Sequence, residues 1–229
     1  MPPALAKFLS DYGFATGAAI VLAILVRMFL LEAYRIPSPA MHPTLEPGDT
    51  VFVAKWPFGM RWPGGDRITD GRLPQRGEVV ILTFPEEPSR EYIKRVVGLP
   101  GDLVQVDQGK LKVNGQSVTQ QVQQGGSGEI CGVESLARGA GQIRYPVCWE
   151  PPLLSMSQPV QVGKDEVFVL GDSRGDSTDS RRTKSWGVTK LDLVKGKALF
   201  VWMSVEPPGG GRNGFFSRLR MNRFFLRVQ

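Results

Sequence analysis

The sequence predicts an all-β domain carried on a single amino-terminal membrane helix. Three observations predict this fold class: an uncharged apolar segment near the start, short β-branched runs bounded by Gly and Pro after residue 45, and little helical periodicity beyond that point outside the basic tail. The chain has 229 residues, 41% of them hydrophobic, with 27 Gly and 18 Pro. That length is enough for one core, or for a core with an inserted subdomain.

The apolar segment at residues 13–31 has the length of a membrane span. No residue from Tyr12 to Val26 is charged, and a helix of this length would extend about 28 Å, close to the hydrocarbon thickness. Arg27 is tolerated only near an interface, where its side chain can snorkel. A cleaved signal peptide would need a small-x-small site after the apolar run, and residues 30–34 do not supply one. We therefore predict a retained anchor.

The predicted strands follow the anchor and are separated by turn signals. They lie at residues 51–55, 78–84, 92–97, 103–106, 110–113, 166–170 and 197–205. Gln108-Gly109 and Asn114-Gly115 are hairpin signals, and residues 120–161 are polar and Gly-rich, so we predict that they are loop-like. The predicted organisation is a short cytoplasmic start (1–12), the anchor (13–32), a β domain in two parts (33–104 and 165–211), an inserted loop-rich subdomain (105–164) and a basic aromatic tail (212–229).

The tail supplies most of the net charge of +6, because it contains five Arg and no acidic residue. It also contains four Phe. Arginine attracts phosphate and phenylalanine enters the membrane interface, so we predict contact with membrane lipid. A solvated terminus with a few core aromatic residues is the alternative. No nucleic-acid-binding signature is present, so no nucleic-acid partner is predicted.

The chain contains one histidine, His42, and two cysteines, Cys131 and Cys148. This scarcity excludes most metal sites and argues against a Ser-His-Asp triad, so we predict neither a metal nor another cofactor. If this part of the chain is exported, a disulfide between the two cysteines would close the loop and stabilise the fold by about 3 kcal/mol. Two unpaired, buried thiols are the alternative.

Lys94 is the candidate base for hydrolysis without histidine or metal. An ordinary lysine has a pKa near 10.4, so only about one in two thousand is neutral at pH 7, and burial among apolar groups lowers that pKa. Lys94 lies in an apolar strand beside Ile93 and Val96. Strand alternation places either Lys94 or Arg95 inward and does not say which.

Four ordered motifs resemble those of the type I signal peptidases. Residues 36–45, Ile-Pro-Ser-Pro-Ala-Met-His-Pro-Thr-Leu, match the family's Pro-Ser-x-Ser-Met-x-Pro-Thr motif except at Ala40. Residues 48–55 match the strand that follows, residues 92–102 match the lysine motif, and residues 171–181 match the last motif. The resemblance implies a signal-peptidase-type β catalytic domain whose partners are the signal peptides of exported preproteins.

The resemblance also implies a role for each matching residue. Lys94 would be the general base, Ser177 would orient Lys94, and Ser38 would donate to the oxyanion hole together with the backbone N–H of residue 40. A simple turn serine is the alternative for Ser177. The implied supporting ion pairs are Asp172 with Arg95 and Asp179 with Arg181. The implied pockets for small substrate residues are lined by Ile36, Pro37, Phe84 and Ile93.

Ala40 occupies the position of the nucleophilic serine. Alanine has no hydroxyl to attack a carbonyl, so we predict that the chain is inactive. Either the serine of a parent protein was deliberately replaced by alanine to give an engineered form, or the protein is a natural, non-catalytic, membrane-tethered signal-peptide-binding relative. The retained Lys94, Ser177 and Ser38 favour replacement. A self-cleaving regulator related to the SOS repressors also uses serine and lysine, but here the anchor occupies the place of its DNA-binding head.

The predicted location is the bacterial plasma (inner) membrane. We expect no transit peptide of the kind that a thylakoid or mitochondrial relative would carry. The predicted topology is single-pass, with a cytoplasmic amino terminus and the catalytic domain on the periplasmic side.

Overall fold

The fold is all-β apart from its amino-terminal helix, which confirms the predicted class. The computed structural model describes residues 3–62, 68–84, 86–124, 129–149, 155–156, 158–175, 178–182, 186–208, 214 and 216–229. The elements are α1 (Pro3–Leu25), β1 (Leu31–Arg35), β2 (Asp49–Ala54), β3 (Val79–Thr83), β4 (Glu91–Gly98), β5 (Leu103–Asp107), β6 (Lys110–Val113), β7 (Gln116–Ser117), β8 (Thr119–Gln124), β9 (Ile130–Arg138), β10 (Gly141–Trp149), β11 (Val160–Gln161), β12 (Glu166–Leu170), β13 (Thr189–Lys190), β14 (Val194–Ser204) and β15 (Leu226–Arg227). Short 3-10 turns lie at Trp56–Phe58, Leu191–Leu193, Phe216–Arg218 and Met221–Arg223.

Helix α1 and the turn that follows it are long and apolar enough to cross a membrane. The span from Tyr12 to Leu30 has a mean hydropathy of 2.1, and 0% of it is buried. The α-helix ends at Leu25 and continues as a π-helical turn to Leu30. Strand β1 begins at Leu31, inside the predicted anchor 13–32, because β1 pairs with β2 from its first residue. The membrane-length segment and the β domain therefore meet without a linker.

Lys55 holds the end of this segment against the β domain. Its Nζ donates to the carbonyls of Arg27 and Met28 at 3.2 and 3.4 Å. A cation at the carboxyl end of a helix is favourable because the last carbonyls carry partial negative charge. The ring of Phe29 also packs near Trp62, with centroids 5.8 Å apart.

The largest sheet has the strand order β1-β2-β14-β3-β4-β12-β13, with β15 added to β14. Its neighbouring strands are antiparallel. Both faces are covered at β3, whose alternate residues join two different hydrophobic clusters. Lys94 and Arg95 on the adjacent β4 are in consequence both buried, at 1% and 0% exposed. The prediction that only one of them faces inward was wrong, since alternation separates two faces that are both inside.

The region from residue 120 to residue 161, predicted to be loop-like, instead contains most of a three-stranded sheet of order β10-β9-β8. Cys131 and Cys148 lie directly opposite each other on β9 and β10 and form a disulfide, with Cα atoms 4.1 Å apart. A separate four-stranded sheet has the order β11-β5-β6-β7. Its two hairpins turn at Gln108-Gly109 and Asn114-Gly115, where all four residues have positive φ, as two-residue type I′ turns require.

Part of the basic tail is folded against the domain. Strand β15 pairs with β14, and Arg220 and Arg223 form ion pairs with the buried carboxylate of Asp49 at 3.3 and 2.6 Å. Phe216 and Phe225 are 84% and 72% exposed. These two arginines thus bind protein, whereas the side chains of the two phenylalanines lie at the surface.

Glu78 gives the fold an acid-sensitive contact. Its carboxylate is buried and pairs with Arg72 at 2.7 Å and Lys197 at 2.9 Å. Burial by itself raises the pKa of Glu78, but hydrogen bonds from Arg72 and Lys197 outweigh it and lower the pKa from 4.5 to about 2. Because the folded-state pKa is the lower one, this stabilisation is complete above about pH 4.5 and is lost as the pH falls toward 2.

We therefore expect Glu78 to contribute on the order of 3 kcal/mol to the loss of unfolding free energy between about pH 5 and pH 2. Chemical unfolding in detergent at a series of pH values measures this, and Glu78→Gln should flatten that part of the profile. A Glu78→Gln chain with the acid sensitivity of the parent would contradict the assignment.

Candidate active site

The loop that carries position 40 is closed at its base and anchored by apolar side chains. Ile36 and the segment at Gly48 and Asp49 exchange two backbone hydrogen bonds of 2.8 Å. Met41 and Leu45 are fully buried, and the N–H of Leu45 donates to the Met41 carbonyl at 2.9 Å. Residue 40 itself is half-buried. A nucleophile at this position would be held by the core and still reach a substrate.

Lys94 lies on β4 directly opposite Val80 of β3. The ring of Tyr92 lies 5.8 Å from its Nζ. Burial of this kind is the condition under which a lysine can act as a base near neutral pH, because it disfavours the charged ammonium. Asp179 lies close enough for the charge of Lys94 to act on it.

Asp179 is held as a carboxylate by its neighbours. Burial raises its pKa, but the charge of Arg181, the hydrogen bonds from Arg181 and the charge of Lys94 together lower the pKa below its usual value. Arg181 Nε lies 2.8 Å from Asp179, whose other oxygen accepts the N–H of Gly171 at 3.0 Å. Arg181 compensates the charge of Asp179. Asp179 therefore favours the charged form of Lys94 less than an unpaired carboxylate would.

The turn at Asp172 and Ser173 joins the motifs to one another. Asp172 accepts Nε and Nη2 of Arg95 at 2.7 and 2.6 Å, and both side chains are fully buried. The hydroxyl of Thr44 donates to the same carboxylate. The N–H of Ser173 donates to the carbonyl of Ala40 at 3.2 Å. Residues far apart in the sequence therefore fix the backbone of position 40.

The remaining predicted site residues divide into three groups. Ser38 and Pro37 are exposed, as a groove that receives a substrate requires. Ile36 and Ile93 pack around one hydrophobic cluster, whereas Phe84 packs in another, with its ring 5.4 Å from that of Tyr92. The structure thus does not bring Phe84 together with the other predicted pocket residues, because it borders the cluster on the opposite face of the sheet. Ser177 lies outside the described residues.

A cavity of about 780 Å³ lies between the end of the anchor and the β domain. Its lining includes Met28, Tyr34, Thr83 and Glu91. Burial raises the pKa of Tyr34, and the negative charges of Glu91 and Glu32 raise it further. Sequence reasoning missed this cavity because its walls come from β1, β3, β4 and the membrane-length segment.

One group of potential metal ligands converges within the part of the chain that the structure describes. Ligand atoms of His42, Glu129 and Cys148 lie within 4.8 Å of one another. The Cys148 sulfur, however, belongs to the disulfide with Cys131, so it has no thiolate to offer a metal. The two ring nitrogens of His42 contact Glu46 at 2.6 Å and Glu129 at 3.4 Å.

Comparisons with known proteins agree over most of the chain. The family described as "Signal peptidase, peptidase S26" matches residues 9–203. The signal peptidase I of Pseudomonas aeruginosa is 35% identical over 225 residues, covering 92% of this chain and 78% of that protein. That of Pseudomonas fluorescens is 33% identical with the same coverage. A crystal structure of a signal peptidase I from Enterococcus faecalis is 24% identical, with a TM-score of 0.35, and covers 55% of this chain and 97% of that chain.

Proposed function

Since this chain belongs to the signal peptidase I family, whose members remove signal peptides, we propose that it is a serine–lysine peptidase with alanine at the nucleophile position. The single observation that carries the proposal is the meeting of the motifs: the Ala40 carbonyl accepts the Ser173 N–H, and Arg95, which follows Lys94 on β4, pairs with Asp172. As it stands, the chain binds signal peptides and does not cut them.

In the parent with serine at position 40, the neutral amine of Lys94 takes the hydroxyl proton as the oxygen attacks the scissile carbonyl. The Ser38 hydroxyl and the backbone N–H of residue 40 stabilise the oxyanion. The scissile C–N bond then breaks, and the leaving amine receives the proton from Lys94. The acyl group remains on the serine oxygen as an acyl-enzyme. Lys94 then activates water to hydrolyse this ester, and Ser177 orients the amine in both steps. Alanine stops the sequence before its first bond forms.

We propose that the alanine replaces a serine by design. A buried lysine lowers the stability of the fold, since the desolvated ammonium is unfavourable. We therefore expect such a lysine to be retained only where a function requires it. Lys94 is 1% exposed and is retained here. A tethered, non-catalytic receptor is the second candidate, and Ala40 itself is the observation that favours it.

The proposed location is the bacterial plasma membrane, with the amino terminus in the cytoplasm and the catalytic domain outside. The Cys131–Cys148 disulfide supports the outer side, because disulfides persist in oxidising compartments. Lipid contact by the tail is proposed for the exposed Phe216 and Phe225.

Ala40→Ser tests the proposal. We expect the variant to cleave a precursor protein in detergent at the signal boundary, whereas the parent chain and Ala40→Gly, which also lacks a hydroxyl, should not cleave detectably. Mass spectrometry of the products locates the cut. Absence of cleavage with retained signal-peptide binding would favour the tethered receptor.

A further inference from the structure

We propose that Glu134, in the three-stranded sheet β8–β10, is a positioning residue that fixes the turn at Ser173 against position 40. The effect on catalysis rests on the proposed function, whereas the effect on the turn does not. Motif matching did not identify this residue, because it lies in the inserted region and outside all four motifs.

Glu134 forms a buried, two-pronged ion pair with Arg174. The carboxylate accepts Nη1 of Arg174 at 2.7 Å and also accepts Nη2, and both side chains are 0% exposed. The hydroxyl of Tyr145 on β10 donates to the same carboxylate at 2.8 Å. Planar guanidinium and carboxylate groups paired in this way fix each other's orientation as well as their charge.

Arg174 transmits this geometry to the turn because it follows Ser173 directly. Its Nε donates to the carbonyl of Gly171 at 2.9 Å, which closes the turn internally. Its backbone N–H donates to the carbonyl of Cys148 at 2.7 Å, while the N–H of Cys148 donates to the Asp172 carbonyl at 3.0 Å. Strand β10 therefore holds the two residues that flank Ser173.

Tyr145 connects this pair to the second buried ion pair of the site. The guanidinium of Arg95 lies over the Tyr145 ring, 4.0 Å from its centroid, and Arg95 pairs with Asp172. Arg95 thus approaches the turn from β4, whereas Arg174 belongs to the turn itself, and Tyr145 contacts both Arg95 and the carboxylate that pairs with Arg174. Glu134 compensates the charge of Arg174, as Asp172 compensates the charge of Arg95. Because Arg174 and Asp172 both belong to the turn, neither pair can change its geometry without moving the turn.

These ion pairs affect the geometry of the turn more than the free energy of unfolding. A buried ion pair often contributes little net free energy compared with apolar residues, and in some proteins it instead specifies a single arrangement of the chain. The arrangement specified here is the one in which the Ser173 N–H reaches the Ala40 carbonyl. A displacement of about 1 Å at a reacting group can cost about 10²-fold in rate.

The test compares Glu134→Gln, the double variant Glu134→Gln/Arg174→Gln and the control Asp102→Asn. Glu134→Gln leaves the Arg174 charge unpaired, whereas the double variant removes both charges and should recover much of the unfolding midpoint. The control makes the same acid-to-amide change at another buried carboxylate, which pairs with Arg76 at 2.5 Å.

The first measurement is hydrogen exchange of the peptide containing Ser173 in the full-length Ala40 chain. We expect faster exchange in Glu134→Gln and in the double variant, and parental exchange in Asp102→Asn. The second measurement, in the Ala40→Ser background, should show kcat lowered about 10²-fold in both Glu134 variants with KM within about twofold.

A merely structural role predicts a different pattern, in which the double variant regains kcat and slow exchange together with its unfolding midpoint. That result would overturn the proposal, as would parental exchange in Glu134→Gln or an equal rise in Asp102→Asn. If Ala40→Ser does not cleave at all, the proposed function fails, and the exchange measurement alone decides the role of Glu134.

Discussion

Replacing Lys94 by alanine in the Ala40→Ser chain is expected to lower kcat by about 10⁴-fold, because a general base typically contributes 10²–10⁴-fold and this one would serve both acylation and deacylation. His42 is the one histidine in the sequence, and its ring nitrogens contact Glu46 and Glu129. It is therefore not positioned to replace the lysine. Single-turnover cleavage of a precursor in detergent measures the effect on acylation.

Lys110→Ala is the matched control for this prediction. Lys110 is an exposed lysine on β6, so its removal should leave the cleavage rate of Ala40→Ser unchanged. A Lys94→Ala chain that is folded, as judged by its unfolding midpoint, and that retains the rate of the control would contradict the role of Lys94 as the base.

The sequence indicates which motifs come together but not how they are supported. The ion pairs Asp172–Arg95 and Asp179–Arg181, implied by the motifs, are both formed. Tyr145 and Glu134 were not expected, because each contacts the site from a strand outside the four motifs. Thr44 lies within the first motif, but its hydrogen bond to Asp172, 128 residues away, was not expected. Arg174 lies within the last motif, but nothing in its local pattern indicates a buried carboxylate 40 residues earlier.

The inserted sheet shows where local patterns mislead. Strand β8 runs from Thr119 to Gln124 with the sequence Thr-Gln-Gln-Val-Gln-Gln, which has little of the apolar content that marks strands in a sequence. Strand β9 contains Gly132 and a buried glutamate. Strand β9 forms because it pairs with β10, whose aromatic and apolar residues supply the core contacts, and β8 pairs with the other edge of β9. Such tertiary support is invisible to a window of residues.

The tail illustrates the same limit for charge. Arginines without nearby acids in the sequence predicted an anionic surface outside the protein. No local pattern indicates Asp49 as their partner, because it lies more than 170 residues away from both Arg220 and Arg223. One buried aspartate therefore accounts for two of the cations that the sequence assigns to lipid.

Arg95→Met is expected to lower the free energy of unfolding by about 3–5 kcal/mol, because it leaves Asp172 as a buried carboxylate without its cation. The double variant Arg95→Met/Asp172→Leu should recover part of this loss by removing the stranded charge. Arg90→Met is the control, since Arg90 is 63% exposed and pairs with Glu87 on the surface, where an ion pair contributes about 0–1 kcal/mol.

Chemical unfolding in detergent measures all three variants. Equal unfolding free energies for Arg95→Met and Arg90→Met would show that the buried pair does not hold the turn. If Arg95→Met is destabilised and the double variant recovers, the stranded Asp172 charge is the cause of the loss. The Thr44 hydroxyl, which donates to Asp172, would then lose its acceptor in the double variant. The loop of residues 36–45 would in that case exchange its amide hydrogens faster than in the parent even where global stability has returned.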